Sequence, residues 1–450
     1  MRRSEARWAK KRPGSNWKIS KAGSLRARPA PYAAAYLIFR IDDRKAGREL
    51  MRRAGTVIAS AAHPNSPIGD AWATVALTFQ GLRALGVPQD SLGSFSPEFQ
   101  QGMAARASEL GDTGESSPEN WEKPLGTPDV HVVLAALAPD AQRLGGVLNR
   151  ARQSYEKLSG IELIWRQDCY ALPNEKEPFG YKDGISHPAI EGSGIPGSNP
   201  HERTFKAGEF VLGYRDETGG FPPMPQPEVL GRNGTYAVVR KLHQRVEAFR
   251  LYLRANSSSP QEEELLAAKM MGRWRSGAPL ALSPERDDLP LGADATRNND
   301  FMYGDDPLGL KTPTGSHIRR ANPRDADVAG AVRLHRMIRR GTAYGPPLPD
   351  GVLEDDGADR GIMFVFLGAH LKRQFEFVQS EWVNDSAFIG GSGERDPITG
   401  NNDGTGVFTV PRRPVRRRLK GLSRFVTTRG GEYCFVPGLR ALRWLADLQT

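Results

Sequence analysis

Histidine is scarce in this chain, so its eight positions come first: His63, His131, His187, His201, His243, His317, His335 and His370. No HExxH is present, and no pair has the spacing of a zinc site. His131 falls in an apolar strand-like run and His243 on an amphipathic stretch, where structural imidazoles belong. His317 differs. It lies in KTPTGSHIRRANPRD (311–325), a polar segment with three arginines, two prolines and no periodicity, which suits a ligand or catalyst. A second motif is PFGYKDGISHP (178–188), where Gly180-x-x-Asp183-Gly184 sets a carboxylate between two glycines. Glycine permits unusual backbone angles and the close approach of a flat ligand. On spacing alone an Asp-Gly turn accounts for it as well. The third is RMIRRGTAYGPPL (336–348), with Arg339 and Arg340 beside a Gly-x-x-Tyr-Gly turn. A solvated arginine pair is its plainer reading.

The elements that must position these residues follow from hydrophobic pattern. Strand-like runs are AAAYLIFRI (33–41), DVHVVLAALA (129–138), IELIWRQDCYAL (161–172), EFVLGY (209–214), GIMFVFLGA (361–369) and GEYCFVPGL (431–439). Helical spacing predicts helices over 69–87, 141–158, 374–383 and 439–448. Residues 234–255 begin as a strand and continue as a helix, with Leu242, Val246, Phe249 and Leu253 on one face. Residues 87–127 read as a long irregular connection, and 175–205 and 256–330 as loop-rich. This order predicts an α+β fold of two similar halves, with helices on one face of mostly antiparallel sheet. The expected division is a basic flexible arm at 1–30, an N-terminal domain at 31–200 and a C-terminal domain at 201–450.

Composition bounds the function. The chain has 450 residues, 62 Lys+Arg and 52 Asp+Glu, and 62 − 52 gives a net charge of +10. Apolar residues make up 38%, enough for real cores. Two cysteines, Cys169 and Cys434, rule out a disulfide scaffold or a cysteine-based cluster. No apolar run is long enough to cross a membrane. The basic start has no apolar stretch behind it, so it reads as neither a secretory nor a twin-arginine signal, and a cytoplasmic protein is expected. PRRPVRRRLKG (411–421) is strongly basic, but it lacks the interleaved aromatics of a nucleic-acid site.

Taken in order, Gly180-x-x-Asp183-Gly184, Gly315-Ser-His317-Ile-Arg-Arg-Ala-Asn-Pro-Arg324 and Arg339-Arg-Gly-Thr-Ala-Tyr344-Gly resemble the dye-decolorizing peroxidase family, in its longer bacterial and fungal-like subgroup. Residues 209–220, 231–244, 267–280, 374–382 and 424–437 also resemble family segments. Thr312-Pro313 stands where relatives often have Cys-Pro, a position not expected to act. The resemblance implies two ferredoxin-like halves, each an antiparallel sheet with helices on one face. It also implies one haem b per chain in the C-terminal half, with the GxxDG loop over its distal side. His317 is then the proximal iron ligand, Asp183 the distal acid–base group and Arg339 the distal cation. Glu376 and Glu381 are candidates to accept from the other nitrogen of His317. Phe364 and Phe366 line the distal side or belong to ordinary core. Arg324 is a candidate for the haem propionates, and the 411–421 run for propionates or acidic loops. Trp382, Tyr344 and Tyr433 are candidate surface electron relays. The implied activity is reduction of hydrogen peroxide and oxidation of dyes and phenolic or aromatic compounds through a ferryl intermediate. The chain is expected to act as a monomer or homo-oligomer, without nucleic acid or membrane. The competing reading is a haem-binding carrier or iron-mobilising protein.

Overall fold

The apolar runs become strands in the computed structural model, which describes residues 27–57, 71–199, 202–328, 330–388 and 393–449. His63, His201 and the basic arm up to residue 26 lie outside these residues. The strands are β1 Ala33–Ile41, β2 Trp72–Leu77, β3 Val132–Ala138, β4 Ile161–Tyr170, β5 Thr235–Gln244, β6 Ile338–Arg339, β7 Thr342–Tyr344, β8 Gly361–Gly368, β9 Gly406–Val410, β10 Arg417–Leu422 and β11 Val426–Val436. Nine form one antiparallel sheet in the order β4-β1-β3-β2-β11-β5-β8-β6, with β7 also on β8; β9 and β10 make a separate hairpin.

Strand β1 shows why its sequence reads as an unbroken apolar run. Ala35, Leu37 and Phe39 face one core, while Ala34, Tyr36 and Ile38 face another. A strand buried on both faces has no polar side to alternate. The first core is covered by helices α1 Arg44–Val57, α2 Phe79–Ala84, α3 Ala141–Tyr155 and α7 Leu439–Ala446. The second lies on the opposite face, where the sheet curls until its ends meet. Tyr36 on β1 and Thr342 on β7 share a hydrogen bond of 3.0 Å. The Ala343 N–H donates to the Tyr32 hydroxyl at 2.7 Å. The expected two α+β halves are thus joined edge to edge at a single residue pair, Leu77 with Phe435. In the second half, α4 Val246–Ala255, α5 Pro260–Met271 and α6 His317–Ala321 complete the helical layer.

Several expectations are corrected. Residues 69–87 are not one helix: Trp72–Leu77 is strand and Phe79–Ala84 is helix. Thr78 divides them. Its Oγ1 accepts from the Gly81 N–H at 3.0 Å and donates to the Val130 carbonyl at 2.5 Å. Residues 209–214 form no strand. They follow a short 3-10 turn, Ala207–Glu209, and bury Phe210, Val211 and Leu212 as a tight bend. Residues 374–383 are wound as π-helix, in the stretches Leu371–Glu376 and Val378–Asn384. Within the stretch read as loop-rich, α5 stands on a Ser259 cap that accepts from the Glu262 N–H at 3.2 Å, with Pro260 in its first turn.

Because Thr78 serves both the turn and the helix cap, Thr78→Ala is expected to destabilise the apoprotein by about 1–2 kcal/mol. The urea midpoint, read by far-UV circular dichroism, measures the loss.

Candidate active site

Strand alternation sets the wall of a cavity of about 270 Å³ on the helix-covered face of the second half. Arg240, Leu242 and Gln244 on β5, Ile362 and Phe364 on β8, and Val426 and Thr428 on β11 point into it. Residues 177, 179 and 181–186, the start of α6 and the π-helical segment close it.

His317 opens α6. Ser316, fully buried, caps the turn in an extended conformation, and its hydroxyl donates to the Lys269 carbonyl on α5 at 2.5 Å. Close approach of the two helices needs a glycine. Gly272 ends α5 at φ +97°, and a Cβ there would collide with the Ile318 side chain. The Nδ1 of His317 lies 2.9 Å from Oδ2 of Asp396, which has no exposed surface. Oδ1 of Asp396 accepts from the N–H groups of Ile398 at 2.8 Å and Thr399 at 2.9 Å. Burial alone would raise this carboxyl, but the His317 ring and those two donors hold it below the usual range. A carboxylate only accepts, so Nδ1 donates, and in the neutral ring Nε2 keeps its lone pair as the acceptor. Glu376 and Glu381 do not fill this role. Glu376 is engaged with Arg106 and accepts from the Tyr433 hydroxyl at 2.8 Å, and Glu381 accepts from Ser380. Asp396 lies 79 residues beyond the histidine. Its only local signal is the Asx turn of Asp396-Pro-Ile-Thr.

Asp183 borders the same cavity, between Gly180 at φ +90° and Gly184 at φ +80°. The loop is organised by Glu177, which sequence reading missed. Partly buried at the cavity edge, it accepts from the N–H groups of Phe179 at 3.1 Å and Tyr181 at 2.9 Å, and from Gln244 at 2.7 Å. Burial nonetheless pushes its pKa up. Asp183 meets Arg28, whose Nη2 donates to Oδ2 at 3.1 Å. Arg28 belongs to the stretch read as a flexible arm, but it is docked, with only 13% of its side chain exposed.

Arg339 is enclosed by protein, yet its guanidinium is open to the cavity. Burial lowers its pKa, with Asp183 opposing and Arg336 adding to the fall. Arg340, beside it, is pushed down to about 9 by burial, Arg28 and Arg339. Arg336 donates to the Ser186 hydroxyl at 3.0 Å and pairs with Glu202 at 3.4 Å. This end of the cavity therefore holds a surplus of guanidinium charge.

The other expected site residues divide. Phe364 lines the cavity. Phe366 does not: two residues further along β8 it is fully buried, with its ring 6.0 Å from that of Phe375. Arg324 is in the cavity wall at φ +58°. It stacks at 3.7 Å on Phe301 and donates to Asn299 and Phe301. No residue of 411–421 lines the cavity. That run makes the turn after β9 and most of β10, where Arg417 pairs with Glu262 at 2.6 Å. Trp382, Tyr344 and Tyr433 are all buried rather than at the surface. Tyr344 sits on the opposite face of the sheet, 4.8 Å from the Lys241 ammonium, with its hydroxyl 3.2 Å from Asp359. Arg240 was missed. It is 3% exposed, held by Asp112 and Thr428, and its Nε and Nη1 have no partner. An arginine in the apolar run of β5 is the signal that could have found it. Among the described residues no three His, Cys, Asp or Glu side chains converge to hold a metal ion.

Comparison with known proteins gives a consistent picture. The profile of the DyP dimeric alpha+beta barrel domain matches residues 33–159, and that of the Dyp-type peroxidase C-terminal domain matches residues 225–411. The chain is 32% identical over 429 residues to the dye-decolorizing peroxidase msp1 of Mycetinis scorodonius, across 88% of this chain and 79% of that protein. A shorter stretch of 155 residues, 34% of this chain and 29% of the relative, is 31% identical to a deferrochelatase of Yersinia pestis bv. Antiqua. Among solved structures, a dye-decolorizing peroxidase in complex with 2,6-dimethoxyphenol superposes with a TM-score of 0.84 at 26% identity, covering 96% of this chain and 99% of that one.

The guanidinium surplus also acts on stability. Burial, then Arg340 and Arg336, push the pKa of His187 from 6.5 down to about 3. The folded state holds a neutral ring where the unfolded chain takes up a proton. Stability is therefore lost as pH falls from about 6.5 toward 3. His187→Gln keeps an acceptor for Arg340 without the titration. Its thermal midpoint is expected to fall less than the parent's between about pH 6.5 and pH 4.

Proposed function

Because this chain belongs to the DyP-type peroxidase family, we propose that His317 is the proximal ligand of one haem b, with Asp183 moving the protons of hydrogen peroxide and Arg339 balancing the charge that develops. The enzyme is a haem peroxidase that oxidises dyes and phenolic compounds. The cavity's residues suit the group. A neutral imidazole nitrogen, backed by a buried carboxylate, is a strong axial ligand. The unpartnered Nε and Nη1 of Arg240 suit a propionate, and Arg324 in the same wall is the second candidate. Phe364, Ile362 and Val378 present apolar surface that excludes water.

When bound, haem supplies the two electrons that O–O cleavage consumes and recovers them from aromatic donors. The chain's own residues do the rest. Asp396 holds the His317 ring by its Nδ1–H and raises the basicity of Nε2. Asp183 takes the proton from one peroxide oxygen and returns it to the other, which departs as water, so the carboxylate ends as it began. Arg339 places positive charge beside the breaking bond. The pairing of Asp183 with Arg339 in the cavity that His317 faces carries this reading over a haem carrier, since cargo needs no proton shuttle. No helix among the described residues is long and apolar enough to cross a membrane. The free, buried thiols of Cys169 and Cys434 are in keeping with a cytoplasmic location.

His317→Ala is expected to lose the Soret band of the reconstituted protein, and Asp396→Asn to weaken haem binding about 10–100-fold. Asp183→Asn and Arg339→Leu are each expected to retain haem but slow the spectral change on peroxide addition about 10²–10⁴-fold in stopped flow. Parental rates in both distal variants, or an unaltered Soret band in His317→Ala, would overturn the assignment.

A further inference from the structure

The carboxylate of Asp183 is held from outside the cavity by a residue 155 positions earlier in the chain. Nη2 of Arg28 donates to Oδ2 of Asp183 at 3.1 Å. Oδ1 makes no hydrogen bond to a described residue, so the two oxygens are unequal: one is anchored and the other is left without a partner, on a residue that borders the cavity. The anchor is itself pinned. The Arg28 guanidinium lies 4.4 Å above the Tyr32 ring, and the Tyr32 hydroxyl accepts from the Ala343 N–H at 2.7 Å. Tyr32 is 6% exposed, at the head of β1, and Ala343 is in β7, four residues beyond Arg339. The guanidinium also covers the open side of Gly184: a Cβ built there would lie 3.6 Å from Nη2 of Arg28.

We propose that Arg28 is a positioning residue for the peroxide reaction. By fixing Oδ2, it holds Asp183 in one orientation with Oδ1 presented to the cavity, and it leaves Arg339 free to face the substrate. A lone short carboxylate between two glycines turns easily toward solvent or collapses onto Arg339. A charge-assisted bond from outside prevents both without occupying the reactive oxygen. The segment just before β1 thereby reaches a site whose His317, Asp183 and Arg339 all lie more than 150 residues further along the chain. The inference rests on the reading of Asp183 as the proton-moving group.

The test is a double-mutant cycle on haem-loaded protein with Arg28→Met, Arg28→Lys, Asp183→Asn and the Arg28→Met, Asp183→Asn double variant. Two quantities are read: the stopped-flow rate of the spectral change with hydrogen peroxide, and the dissociation constant of cyanide from the ferric protein. Cyanide enters as a weak acid and needs the same proton acceptor, yet undergoes no turnover. Arg28→Met is expected to slow the first and raise the second by about tenfold, with partial rescue in Arg28→Lys and no further change on the Asp183→Asn background. An Arg28→Met effect that persists undiminished on that background, or no Arg28→Met effect where Asp183→Asn has a large one, overturns the inference and leaves Asp183 in place. Parental values in Asp183→Asn overturn both. Thermal unfolding of each variant monitors folding. Should Arg28→Met fail to fold, Arg28→Lys, which keeps the charge but loses the planar fork, takes its place: parental values for it then overturn the inference.

Discussion

A carboxylate with no contact with water decides which nitrogen of His317 faces the cavity. Asp396 can only accept, so the ring must donate from Nδ1, and the lone pair of Nε2 is left pointing the other way. Everything on the far side of the cavity presupposes that choice. On the proposed reading, the opposite tautomer would offer a donor where an acceptor is needed, and Asp183 and Arg339 would have nothing to act with. The two ends are electrostatic opposites: a single shielded anion behind His317, and a crowd of guanidiniums around Asp183. On the proposed reading, one end would support electron donation from His317, and the other would suit the negative charge that develops on peroxide as it gives up its proton.

The sheet makes this separation possible. On β5, Arg240 turns to the cavity, while Lys241 turns to the inner core, between Glu122 and Asp359. Two adjacent cations are thus assigned to different compartments by the pleat alone. Each is stabilised by its own carboxylate partners, as burial of charge requires. The curled sheet encloses an apolar interior, so the reactive chamber lies outside it, beneath helices and loops, where glycine-rich segments can shape its walls.

Much of this was legible beforehand where local pattern and tertiary setting agree. β1, β3, β4, β8 and the β5–α4 junction appear within a few residues of the hydrophobic runs. His317, Asp183, Arg339, Arg324 and Phe364, widely separated in sequence, border one cavity. The failures share a physical cause. WATVAL is apolar on both faces, so strand and helix periods cannot be told apart there, and only the Thr78 cap marks the change. Residues 209–214 have strand-like composition but serve as a buried bend: Phe210 and Val211 donate back to Ala207, and Leu212 exchanges bonds with Asn233 and Gly234. Phe366 shares a face with Phe364, but depth along a strand is not written in alternation. Asp396 and Arg28 were invisible for one reason: each acts through a partner far away in sequence, from a stretch whose composition says only turn or arm.

The seam between the halves has a wider implication. β2 and β11 meet at one paired position, Leu77 with Phe435, so the continuous sheet hides a joint with almost no backbone ladder. Aromatic packing closes that joint: the Phe435 ring lies 5.2 Å from Phe95 and 6.1 Å from Tyr236, and Phe99 sits 5.6 Å from Tyr236. Side chains tolerate substitution in a way that a hydrogen-bond register does not. The two halves are held instead by side chains that cross beside the seam, the rings together with the Arg240–Asp112 and Arg106–Glu376 pairs, so a chimera that grafts one onto a counterpart from a related protein has a whole face of side chains to match rather than a ladder.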